Sequence, residues 1–155
     1  MKDIDRIDRK IMRALQADGR LTNIELADKV ALSPTATAER VKRLTREGYI
    51  EGYGARLSPA KLGRSLLVFV EVKLDRTTPD VFDSFARAVK LSDDVMECHM
   101  VAGGFDYLVK ARVAGMDAYR TFLSDVILSL PGVRETHTYA VMEEIKNSGH
   151  LPVPD

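Results

Sequence analysis

The chain has 155 residues, 45% of them hydrophobic and 30% charged, a composition that suits a soluble globular protein and excludes a disordered one. Its longest purely apolar run, Leu66 to Val70, is far short of the ~20 residues that span a bilayer, and the charge-dense opening MKDIDRIDRK is not expected to be a signal peptide. The single cysteine, Cys98, excludes an intrachain disulfide and a Cys-rich zinc site, so a cytoplasmic protein without a metal is expected.

The balanced total of 23 basic and 23 acidic residues hides an asymmetry: residues 1–64 carry 14 Lys/Arg against 9 Asp/Glu, and residues 65–155 carry 9 against 14. The basic half points to nucleic acid as its partner.

Ile4, Ile7, Ile11 and Leu15 recur at helical spacing, with Asp5, Arg6, Asp8, Arg9 and Lys10 expected on the wet face. Asp18-Gly19 ends this helix. Thr22, with Glu25 three residues on, reads as a capping box opening a second helix whose apolar positions are Ile24, Ala27 and Val30. After the short turn Ala31-Leu32, Ser33 is an N-cap, and Pro34 takes the first helical position, where its missing N–H costs nothing. The third helix runs to about Glu47 and stops at Gly48.

Two helices joined by so short a turn have helix-turn-helix spacing. At about 100° per residue, the third helix points Ala38, Val41, Leu44 and Thr45 towards the other two. Thr35, Ala36, Glu39, Arg43 and Arg46 point away, flanked by Arg40 and Lys42. Small side chains at the tip suit base edges, and the cations beyond suit phosphates. The candidate DNA-binding residues are therefore Ser33, Thr35, Ala36, Thr37, Glu39, Arg40, Lys42, Arg43 and Arg46. A merely solvated outer helix is the competing reading. GYIEGYGARLSP, residues 48–59, reads as a short strand or wing, and the segment to Gly63 as a linker.

In the second half, residues 66–74 (LLVFVEVKL), 95–102, 105–113 and 133–145 read as strands, and Pro79 to Leu91 and Met116 to Leu130 as helices. Gly103-Gly104 is expected to be a two-residue hairpin turn with φ > 0. The order β-α-β-β-α-β predicts an α+β domain of the split ferredoxin-like kind. Val68, Val70 and Val72 would face the two helices. Leu67 and Phe69, with Met100, Leu108, Ala140 and Met142, would share the other face and pack against a second copy, unless the chain's own linker covers it. The expected division is 1–53 DNA-binding, 54–65 linker strand, 66–146 ferredoxin-like and 147–155 tail. None of the three histidines, His99, His137 and His150, lies in an HExxH motif, and no GxSxG or P-loop motif appears, so catalysis is not expected.

IDRIDRKIMRALQADGRLTNIELADKVALSPTATAERVKRLTREGYIEGY resembles the DNA-binding half of the Lrp/AsnC family of transcription regulators. LLVFVEVKL, ECHMVAGGFDYLVKARV, MDAYRTFL and LPGVRETHTYAVMEEIK resemble its effector-binding, oligomerising half. The resemblance implies a winged helix-turn-helix followed by a ferredoxin-like βαββαβ domain. It implies double-stranded DNA and a small amino acid as partners, and homodimers that assemble further, usually to octamers. The implied role is a sequence-specific, amino-acid-responsive regulator of amino-acid metabolism genes. An effector-independent architectural DNA-binding protein is the alternative. The family's effector site lies near a glycine-x-x-aspartate turn, here Gly103-Gly104-Phe105-Asp106, followed by Tyr107. His99, Met100, Val101, Thr138, Tyr139 and Ala140 match its other lining positions. Asp106 would accept the ligand's ammonium and backbone N–H groups of the turn would meet its carboxylate, unless Asp106 only flanks the hairpin. No Arg or Lys stands in the turn, which favours leucine or another neutral amino acid.

Overall fold

The computed structural model describes residues 4–154. They form two compact units: the residues up to Arg56 together with the segment from Lys146 onward, and Leu57–Ile145.

The first unit holds helices α1 (Arg6–Ala17), α2 (Asn23–Val30) and α3 (Pro34–Arg46). Each begins on a side-chain cap. Asp5 and Asp8 form a reciprocal box at the start of α1, the Asp5 carboxylate accepting from Asp8 N–H at 2.8 Å and Asp8 from Asp5 N–H at 3.0 Å. Thr22 and Glu25 do the same for α2, as the sequence predicts. Ser33 Oγ accepts from Ala36 N–H at 3.2 Å, with Pro34 opening α3. Between α2 and α3, Ala31 takes the left-handed conformation at φ 57°, which costs a non-glycine residue about 1 kcal/mol. That turn brings Leu32 N–H to Ala27 O at 3.1 Å and lets α3 start at once.

Ile11, Leu26, Ala27, Val30 and Leu44 make the core of this unit. Ile24, expected there, is 65% exposed. Three-residue steps fall about 60° short of a full helical turn, so a 24-27-30 stripe drifts off the core; Leu26 takes the inward place. In α3 Thr37 is buried along with Leu44, while Thr45 is exposed and Ala38 and Val41 are half-buried. Residues 51–57 are exposed and form no strand, because Gly52 and Gly54 offer no side chain to bury. The returning tail is fixed to α1. Gln16 Nε2 donates to Leu151 O and Leu151 N–H donates to Gln16 Oε1, both at 2.8 Å. Arg13 Nη2 donates to Val153 O at 2.9 Å.

The second unit contains β1 (Leu66–Leu74), α4 (Pro79–Lys90), β2 (Val95–Met100), β3 (Tyr107–Val113), α5 (Met116–Phe122) and β4 (Val133–Ala140). The sheet order is β2-β3-β1-β4 with antiparallel neighbours throughout, the ferredoxin-like arrangement. Val68, Val70, Val72 and Leu74 alternate inward against Phe85, Val109 and Ile127. The Tyr107 ring stacks on Phe85 with centroids 4.3 Å apart. The second helix does not run regularly to Leu130. After α5 it widens into a π turn, Leu123–Ile127, closed by Leu128 N–H to Leu123 O at 2.9 Å. Phe122 and Ile127 would lie about 140° apart on an α-helix; the wider turn buries both. Gly132, at φ 75°, closes the turn into β4; a Cβ there would sit 2.6 Å from Val81 Cγ1.

The open face of the sheet differs from expectation. Strand pairing puts Leu67, Phe69 and Leu108 there, but Ala140 pairs with Val68 and Met100 with Tyr107, so both lie on the helix-covered side. Met142 falls beyond β4, which ends at Ala140 and not near 145. The open face also carries charge. Lys110 pairs with Glu97 at 2.8 Å, and half-exposed Tyr139 donates to Glu71 at 3.1 Å. Buried Arg112 bonds both carboxylate oxygens of Glu144 at 2.6 Å, so the chain after β4 covers part of this face itself.

Candidate nucleic-acid interface and effector hairpin

Two of the four expected phosphate-binding cations of α3 turn inward. Arg43 Nη2 lies 2.5 Å from Asp8 Oδ2, and Arg40 Nη1 reaches Asp8 Oδ1 at 2.9 Å and Asp5 Oδ2 at 2.7 Å. Asp8, expected on the wet face, is fully buried. Burial alone would raise its pKa, but the Arg43 guanidinium, the Asp5 N–H and the Arg40 guanidinium together hold the carboxyl below its ordinary range. Asp5 is lowered to about 2, chiefly by Asp8 N–H and, against some desolvation, by Arg40. Arg40 and Arg43 are therefore internal ties between α3 and α1. The local pattern of α3 could not show this, because the acid they neutralise is about nine helical turns of sequence away. Thr37, another candidate, is fully buried in α3, and its hydroxyl has no hydrogen-bond partner among the described residues.

The remaining candidates are solvent-facing. Ser33, Thr35 and Ala36 are exposed at the tip, and Glu39, Lys42 and Arg46 are exposed along the helix. Thr35, Glu39, Lys42 and Arg46 follow at i, i+4, i+7 and i+11, a single stripe opposite Thr37 and Leu44. Lys42 Nζ donates to Glu39 Oε1 at 3.0 Å, an exposed pair that contributes little to stability and leaves both groups available. A helix with a small-residue tip and two outward cations can present hydrogen-bonding groups to base edges and charge to phosphates.

The loop between β2 and β3 spans six residues, 101–106, rather than two. Neither Gly103 nor Gly104 adopts the left-handed φ expected for a tight turn, and both face open space. Asp106 anchors the loop: its N–H donates to Val72 O at 3.0 Å and its Oδ2 accepts from Leu74 N–H at 2.7 Å. Its backbone carbonyl also accepts from Val101 N–H at 3.0 Å. Tyr107 is buried, its ring stacked on Phe85. Thr138 bonds the Tyr119 hydroxyl on the helix side, with Ala140 on that side too, while Tyr139 and His99 lie on the open face. His99, Met100 and Val101 belong to one edge of the sheet and Thr138, Tyr139 and Ala140 to the other, about 14 Å or three strand spacings apart. One chain therefore does not bring these expected residues into one pocket.

The winged helix-turn-helix DNA-binding model matches residues 4–51, and the Lrp/AsnC ligand binding domain model matches residues 67–151. The leucine-responsive regulatory protein of Escherichia coli strain K12 is 55% identical over 152 residues, covering 98% of this chain and 93% of that protein. A Neisseria meningitidis transcriptional regulator solved as a complex with L-Met superposes with a TM-score of 0.92 at 37% identity, covering 97% of both chains. The E. coli AsnC structure superposes at 0.87 with 25% identity, covering 98% of this chain and 99% of that one.

Proposed function

The chain belongs to the Lrp/AsnC family of amino-acid-responsive, DNA-binding transcription regulators, and from that premise we propose how its parts divide the work. Helix α3 enters the major groove with Ser33, Thr35 and Ala36 leading, Glu39 facing the bases and Lys42 and Arg46 meeting phosphates. The observation that carries this is the exposed 35-39-42-46 stripe, set opposite the buried Thr37 and Leu44.

The working unit is a homodimer that assembles further, towards an octamer, and acts on DNA in the cytoplasm. Phe69, Leu108 and Tyr139 on the open sheet face supply apolar surface for a second copy, and the surrounding charge pairs fix its register. The effector is leucine or another neutral amino acid, bound at the 101–106 loop where subunits meet. The separation of His99 from Tyr139 within one chain supports a site completed by a second chain. Asp106 Oδ2 is engaged with Leu74 N–H, so an ammonium would approach the other carboxylate oxygen. The ligand acts only through its different affinity for two assembly or DNA-bound states, typically about 1–3 kcal/mol.

A thermal-shift screen of the twenty amino acids followed by DNA titration with the best ligand tests this reading. A stabilising ligand that changes DNA affinity severalfold is expected. A ligand-blind affinity would mark an architectural DNA binder instead.

A further inference from the structure

A cavity of about 270 Å³ lies in the second unit, beside the π turn. Its floor is apolar, made by Ala118, Phe122 and Val126. Its rim carries one guanidinium, Arg64, and two carboxylates, Asp94 and Asp125. Arg64 is only loosely held, 3.5 Å from Asp94 and 3.4 Å from Arg112 O, and is 53% exposed. These are long contacts that a better-placed carboxylate would displace. Asp125 and Val126 sit within the π turn Leu123–Ile127, so the wider helical turn supplies both an acid and part of the floor. The volume is below the range of drug-sized pockets and suits a small metabolite.

We propose that this cavity is a second ligand site, distinct from the 101–106 loop, that binds the zwitterion of a small neutral α-amino acid. Arg64 takes the carboxylate, Asp94 and the Asp125 oxygen not bonded by the Ser124 hydroxyl take the ammonium, and Phe122 and Val126 hold the side chain. A guanidinium and carboxylates around one small apolar floor match the fixed charge pair of a free amino acid; an amine or an acid alone would leave one sign unanswered. Arg64 stands two residues before β1, so a bound ligand would also fix the chain leading into the sheet.

The test uses the full chain with labelled Ala and Val methyl groups, titrated separately with L-alanine, L-leucine and L-methionine. At least one is expected to shift the Ala118 and Val126 signals saturably at millimolar concentration. The corresponding N-acetyl amino acid and decarboxylated amine should bind at least about tenfold more weakly. Arg64→Ala and Asp125→Asn should each raise the midpoint about ten- to a hundredfold. Both side chains are at the surface, and the rest of the methyl spectrum reports whether each variant stays folded. Signals of Val101 and Ala102 follow the loop site separately, so loss of either reading is seen apart from the other. Unmoved Ala118 and Val126 signals with all three amino acids, or unchanged midpoints in both variants, would overturn the proposal.

Discussion

Asp8 Oδ2 and Arg43 Nη2 meet at 2.5 Å, joining the first turn of α1 to the last turns of α3, with the Asp8 side chain 1% exposed. A buried carboxylate needs its cations, and Asp8 has two, Arg43 and Arg40. The proposed recognition helix is therefore oriented by charge as well as by the packing of Leu44.

Arg43→Ala should remove one of those cations and cost about 2–3 kcal/mol, somewhat under the full penalty of a stranded buried charge because Arg40 remains. Urea denaturation should show it as a lower midpoint. Lys42→Ala, at an exposed position, should stay within about 0.5 kcal/mol of wild type. Weakened DNA binding by Arg43→Ala would thus report damage to the fold before it reports a missing phosphate partner.

The same cluster sets an acid limit. Asp5 and Asp8 both have lowered pKa values, Asp5 to about 2, so their contribution is complete above the ordinary carboxylate pKa of 3.8 and is lost as pH falls through the folded values. The stability of the DNA-binding unit should hold from neutrality to about pH 4 and decline towards about pH 2. Denaturant midpoints across that range check it. In Asp8→Asn, much of the decline should vanish along with part of the neutral-pH stability.

Truncation after Lys146 should loosen α1. It removes the paired Gln16–Leu151 hydrogen bonds and the Arg13–Val153 hydrogen bond, together worth about 2 kcal/mol. Hydrogen exchange should speed up in α1 while β1 and β3 keep their protection. Unchanged exchange in α1 would show that the tail only rests there.

Much of the fold was legible because it rests on local periodicity. The alternation of LLVFVEVKL places β1 at 66–74, and the Thr22-Glu25 and Ser33-Pro34 signals mark two helix starts correctly. What local pattern could not carry was pairing at a distance. Asp8 looks like a solvent-facing acid until α3 is folded against it, and only the strand register shows that Met100 and Ala140 share a side with Tyr107 and Val68. The Asp5-x-x-Asp8 spacing did hold a capping signal, disguised by an aspartate where a glutamate is usual. The outward stripe of α3 is half legible: the helical period puts Thr35, Glu39 and Arg46 outward, as the structure does, but arginine side chains are long enough to fold back, and Arg40 and Arg43 do.

The central claim is that Lys42 and Arg46, on the outward stripe of α3, meet DNA phosphates. Its most direct test is the salt dependence of affinity for a duplex selected from random sequence by the wild-type protein, measured for wild type, Lys42→Ala and Arg46→Ala. Each variant should keep wild-type stability and bind more weakly. Each should also lower the slope of log affinity against log salt by about 0.9 for every phosphate left without its cation, per DNA-bound copy. Wild-type affinity and an unchanged slope in both variants would contradict the account.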